Sequence, residues 1–235
     1  MRRETQNVLL VLTGGALLKI AFGGSYLRYV KPSQQPLLVA AGVVMLLLAA
    51  VAIVRDIRAR QPRTSCGTTG SEHARSAWML LLPVLAIFVV APPALGSDSV
   101  NRDSARDAAT ERTATFPPLP PGKVVELPMN EFVARAGWDS RDSLAGRTVR
   151  LTGFVVRDEH RVRLARMVIT CCAADASPLT ITLRGGEFTG LRSDDWLRVT
   201  GEVEPGSATE ANNYQPVLRV ATLRRVAAPD HPYEQ

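Results

Sequence analysis

Nineteen consecutive residues, Pro36–Val54 (PLLVAAGVVMLLLAAVAIV), carry no charged side chain. A helix needs about 20 apolar residues to cross a hydrocarbon core of ~30 Å, so this run is expected to span a membrane. Two further runs have a similar character. Val8–Tyr26 contains one charge, Lys19, and Ala77–Leu95 contains none. Pro83 should kink the third run, and Pro92 with Pro93 should end it. A lysine at a helix centre costs about 2.5–3.5 kcal/mol on insertion scales. Lys19 lies past the middle of its run, from where its stem can snorkel outward. The expectation is a three-helix transmembrane domain over residues 1–96.

Charge is divided to match. Residues 1–96 hold ten basic and three acidic side chains, whereas residues 97–235 hold eighteen and nineteen. The positive excess therefore flanks the apolar runs, as in a membrane anchor. A nucleic-acid protein would carry its basic patch on the folded part, so that class of partner is excluded. Arg2, Arg3, Arg55, Arg58, Arg60, Arg63 and Arg75 share one side of a three-span arrangement, against Arg28 and Lys31 on the other. The first side is then cytoplasmic, and the C-terminal domain is expected outside the inner membrane of a multi-pass protein. Two alternatives stay open. The first run could be a signal peptide led by Arg2 and Arg3, and Ala94-Leu95-Gly96 could be a cleavage site.

Residues 97–121 mix Asp, Arg, Ser, Thr and Ala and close on Phe116-Pro-Pro-Leu-Pro-Pro-Gly122. Such a stretch cannot bury a core and is expected to be a disordered, Pro-rich tether. From residue 122 the pattern changes. Leu127–Ala136 reads as a short helix with Phe132 and Val133 inward. Five strand signals follow at Thr148–Val156, Val162–Thr170, Leu179–Leu183, Trp196–Val203 and Pro216–Val226. Five strands in so short a stretch favour a closed barrel. Gly153 and Gly201 interrupt inward faces, as bends or bulges in curled strands do. The phrases Leu151-Thr-Gly-Phe-Val155 and Val199-Thr-Gly-Glu-Val203 are similar to phrases of OB-fold barrels. The expected fold is thus an α-helical anchor plus an all-β, OB-like small barrel over residues 122–235. A two-sheet sandwich is the alternative.

The unusual chemistry lies in Met167-Val-Ile-Thr-Cys-Cys-Ala-Ala-Asp-Ala176. Adjacent residues of a regular strand point to opposite faces, so Cys171 and Cys172 can share one metal ion only if the chain turns. Three readings are open. The cysteines are small buried residues, or soft metal ligands with help from Asp175 or a histidine, or a redox-active vicinal pair. Three cysteines in all do not make a disulfide scaffold. Cys66 and His73 fall on the opposite side of the expected membrane. His160 reads as a surface turn residue and His231 as an exposed terminal one. No Ser/His/Asp set, GxSxG, P-loop or HExxH occurs, so an enzyme is not indicated.

Several strings together resemble the bacterial YcgQ-like family. They are Thr170–Ala176 with its double cysteine, Leu151–Val155, Asp195-Trp-Leu-Arg-Val-Thr-Gly201, Pro216–Val220 and Pro232-Tyr233. Tyr29-Val-Lys-Pro32 resembles that family's Tyr-x-His-Pro phrase, with Lys31 in place of the histidine. The resemblance implies an accessory subunit of a two-component membrane permease, with a larger polytopic permease-like protein as its partner. It supplies neither a transported substrate nor a mechanism. Many relatives carry a His-rich cytoplasmic loop where this chain has only His73, and both departures weaken a metal-handling role for the membrane half. The rival classes are a tethered module binding a metal or small ligand, and a thiol redox protein using Cys171 and Cys172.

Overall fold

The computed structural model describes residues 3–59, 94–102, 116–158 and 161–234. They fall into two units, Met1–Pro93 and Ala94–Gln235.

The first unit is a helical hairpin. Helix α1 (Arg3–Phe22) and helix α2 (Gln35–Ala59) are joined by two short 3₁₀ turns, Ser25–Arg28 and Pro32–Gln34. They run antiparallel, because contacts pair early residues of one with late residues of the other. Asn7 donates its side-chain amide to Asp56 at 3.3 Å, and Gln35 donates to the Ala21 carbonyl at 3.1 Å. Midway, Gly14 faces Gly42. A Cβ on Gly14 would lie 3.0 Å from the Gly42 carbonyl oxygen, so the glycines set how closely the backbones approach. The opposite face of α2 is apolar and uncovered, with Leu37 and Leu47 both more than half exposed.

Helix length decides which segment can cross a bilayer. Pro32–Arg58 is long and apolar enough, whereas Gln6–Phe22 is a shorter apolar helix. At 1.5 Å per residue the shorter one reaches only about 25 Å, less than the ~30 Å hydrocarbon core. Polar residues at its start and Lys19 in its last turn bound it. The third expected span, Ala77–Leu95, lies outside the described residues except for its last two, and these pack on the sheet domain. The expected fold class is therefore corrected. Among the described residues, the three expected transmembrane helices give way to one long apolar helix and one shorter one, and the all-β domain gives way to a mixed seven-stranded sheet that carries its own helices.

The second unit holds strands β1 (Val124–Glu126), β2 (Thr148–Arg157), β3 (Val162–Val168), β4 (Ser177–Arg184), β5 (Trp196–Val203), β6 (Val217–Arg225) and β7 (Tyr233–Glu234). Their order is β1-β2-β5-β6-β4-β3-β7, with an added pairing of β2 to β3. That pairing closes β2, β5, β6, β4 and β3 into a ring. Strands β1 and β7 add parallel edges to β2 and β3, and β4 pairs parallel to β6. Alternation sorts the side chains. Val149, Leu151, Val155, Leu164, Ile181, Leu197, Val199 and Leu218 are fully buried in one core, together with Phe132 and Val133 of helix α4 (Met129–Trp138). A second core on the outer face of β2 and β3 gathers Phe154, Val156, Ala165, Met167 and Tyr233.

Gly201 sits where the β5–β6 register shifts. A Cβ there would lie 2.2 Å from the Arg219 carbonyl oxygen, and one on Gly153 would lie 2.5 Å from the Ala165 oxygen. Both glycines permit close strand approach where the ring curls.

The stretch read as a free tether is attached at both of its described ends. Residues 97–102 form a short helix, α3 (Ser97–Arg102), whose Val100 is buried in the second core. Asp194 accepts the Ser97 backbone N–H at 2.7 Å and its hydroxyl at 2.8 Å. At the other end, Arg135 and Arg147 donate to the carbonyls of Pro117 and Pro120. These bonds satisfy backbone groups that a proline-rich segment cannot pair internally.

Candidate metal centre

The cysteine string connects β3 to β4. Strand β3 ends at Val168, and β7 holds that end: Val168 pairs with Glu234, and Ile169 donates its N–H to the Glu234 carbonyl at 3.1 Å. Beyond buried Ile169 the chain leaves the sheet. Thr170 and Cys171 are exposed, Cys172 is half-buried, and Ala173–Asp175 forms one 3₁₀ turn before β4 starts at Ser177.

This turn overrides the strand alternation that would have separated the thiols. The Asp175 carboxylate folds back over the loop. Its Oδ1 accepts the Thr170 N–H at 2.8 Å, and its Oδ2 accepts those of Cys171 at 2.8 Å and Cys172 at 3.4 Å. Asp175 in turn donates its N–H to the Cys172 carbonyl at 3.1 Å. The two Sγ atoms come within 3.6 Å of each other. One ligand atom from each of Cys171, Cys172 and Asp175 lies within 4.8 Å of the others. All three residues expected from the sequence are thus brought together.

The charges are coupled. A hydrogen bond from the Cys171 thiol, helped by the backbone N–H donors, holds the Asp175 carboxyl down to about 2. The same bond to Asp175, reinforced by Cys172, pushes the Cys171 thiol up to about 11. At neutral pH the site is a charged Asp175 carboxylate beside a protonated Cys171 thiol. That makes Cys171 a weak spontaneous nucleophile. A metal ion would have to displace this proton, since the thiolate is the ligand.

The donor set fits a borderline or soft divalent ion. Two sulfurs and one carboxylate oxygen make three protein ligands, leaving a fourth position for water or an incoming group. Asp175 Oδ1 accepts one backbone N–H and retains acceptor capacity for an ion, whereas Oδ2 already accepts two. His231 is exposed and outside this cluster, and its carbonyl accepts a bond from Arg166 at 2.8 Å. His160, His73 and Cys66 lie outside the described residues. Sequence reasoning missed the clamp of Tyr233 and Glu234 on the strand that delivers the loop. The apolar Tyr233 beside a charged residue was its only signal, in a segment too short to show a period.

No curated protein matches the chain. Family models do: the DUF1980 N-terminal domain over residues 6–105 and the DUF1980 C-terminal domain over residues 138–234. The two cover the hairpin and almost the whole sheet, including the cysteine loop, and the chain belongs to the DUF1980 family.

Proposed function

We propose that this chain is a membrane-anchored, non-catalytic accessory subunit of a permease complex, whose sheet domain presents a thiophilic metal ion at Cys171, Cys172 and Asp175. The observation that carries the metal role is the convergence of three ligand atoms within 4.8 Å on an exposed loop. A buried structural pair would not need that exposure. Helix α2 supports the anchor, and the similarity of the double-cysteine string to the YcgQ-like family supports the permease context and a polytopic partner. Arginines between residues 55 and 75 favour a cytoplasmic place for the segment after α2.

The test is metal analysis of the purified full chain in detergent, beside the double variant Cys171→Ser with Cys172→Ser. About one zinc or cadmium ion per chain is expected, weakening as pH falls and lost in the variant. A metal-free chain that takes up neither ion, or a variant that retains it, removes the site. Co-purification of a polytopic membrane protein tests the subunit role separately.

A second reading, dithiol redox chemistry, is favoured by the 3.6 Å approach of the two sulfurs. The raised Cys171 thiol opposes it, since the thiolate is the attacking species. Thiol titration with and without reductant separates the two.

A further inference from the structure

We propose that the ring end away from the cysteine loop binds a small organic oxyanion, a phosphate or carboxylate carrying an apolar body. The cysteine loop joins the end of β3 to the start of β4. The start of β3 and the end of β4 lie about 20 Å from it, at ~3.3 Å per strand residue. There the strands surround a cavity of about 690 Å³. That size is in the range of small-ligand pockets, roughly 300–1,000 Å³.

The lining has two characters. Leu183, Phe188 and Val217 supply apolar wall, while Arg157, Arg161 and Arg184 supply guanidinium groups. The cavity also contains Asp158, but its carboxylate is spent on Arg163 at 2.8 Å. Glu204 likewise engages Arg184 at 3.2 Å. Among the described residues no carboxylate pairs with Arg157 or Arg161, so both guanidinium groups are available to an anion. Like charges gathered at one mouth repel, and an anion offsets that repulsion. Arginine also presents a planar fork that matches phosphate or carboxylate oxygens.

The cavity is built before any ligand arrives. Arg157 donates Nη1 to the Leu191 carbonyl at 3.1 Å and to the Phe188 carbonyl at 3.4 Å, which orients its guanidinium plane. The rim loop is locked by Asn212. Its amide donates to the carbonyls of Ser207 at 2.7 Å and Gln215 at 3.1 Å. Its oxygen accepts the N–H groups of Thr209 at 2.9 Å and Gln215 at 3.2 Å. Such preorganisation lowers the ordering cost of binding. The apolar wall next to fixed guanidinium groups is why a bare inorganic anion is a poorer fit than one with an apolar body.

The test is calorimetric titration of the metal-free full chain in detergent with phenyl phosphate, benzoate, inorganic phosphate and phenol. Phenyl phosphate or benzoate should bind, and comparing them distinguishes a phosphate from a carboxylate head. Inorganic phosphate should bind more weakly, and phenol should give no saturable heat. Arg161→Glu should weaken the better ligand by at least about tenfold, the loss of one charge-assisted contact. The thermal midpoint should hold; if this variant unfolds, Arg161→Gln carries the same expectation. The double cysteine variant should bind the anion normally, which keeps this site separate from the metal centre. Failure of both aromatic anions to bind, phenol binding as well as they do, or unchanged affinity in the Arg161 variants would overturn the proposal.

Discussion

Asp175 accepts the Cys171 backbone N–H at 2.8 Å while its carboxylate also pushes the Cys171 thiol up to about 11. One side chain therefore shapes the loop and sets the reactivity of the residue it positions. Any ion that binds the sulfur competes with a carboxylate that is already there.

Removing that carboxylate charge should free the thiol. In Asp175→Asn the Cys171 pKa should fall from about 11 towards 9.0, raising the thiolate fraction near neutral pH. Intrinsic nucleophilicity falls with pKa and offsets part of that gain, leaving about a tenfold faster alkylation. Iodoacetamide kinetics at fixed pH, read by mass spectrometry on the peptide containing Cys171, measure it. An unchanged rate would mean that Asp175 does not hold the thiol proton.

The loop should be tightest in a defined pH window. The Asp175 carboxyl is depressed from 3.8 to about 2, so its contribution is present above 3.8 and is lost as pH falls through about 2. The Cys171 thiol is raised from 9.0 to about 11, so its contribution is present below 9.0 and is lost as pH rises through about 11. Amide chemical shifts of Thr170, Cys171 and Cys172 should move together as acid protonates Asp175. Amide shifts that move independently of one another would contradict a common carboxylate acceptor.

Ile181 is fully buried at the centre of β4, opposite Leu164 of β3. Ile181→Ala should cost about 2–5 kcal/mol in denaturant midpoint analysis, through lost transfer energy and the cavity left behind. Thr200→Ala, on the outer face of β5, should stay within about 0.5 kcal/mol. Equal losses at both positions would mean that the ring core does not discriminate the two faces.

Glu234 caps a helix that begins 105 residues earlier in the chain. Its carboxylate accepts the N–H groups of Met129 and Asn130, both at 2.7 Å, where Pro128 provides no side-chain cap. Glu234→Ala should destabilise the sheet domain by about 0.5–2 kcal/mol, as removal of an N-terminal cap does. Amide exchange should quicken first in residues 129–133. Loss of stability with unchanged exchange there would assign the effect to the β7 edge instead.

What the chain order alone determined was local and periodic. The uncharged run Pro36–Val54 marked the one helix among the described residues that is long and apolar enough to cross a bilayer, because span length depends on length and composition along the chain. Strict alternation put Leu151, Ile181 and Val199 on the buried face, because the strand pleat repeats every two residues. Gly153 and Gly201 announced close strand approach for the same local reason. Tertiary structure decided the rest. Strands β1 and β7, of three and two residues, are too short to carry a period and exist only by pairing with distant partners. The docking of Ser97 on Asp194 could not be read from a polar, aperiodic stretch, because its acceptor lies 97 residues away. Alternation by itself would have turned Cys171 and Cys172 to opposite faces. They meet because Asp175 draws three backbone N–H groups of the loop onto one carboxylate, at the point where β7 stops β3 from continuing.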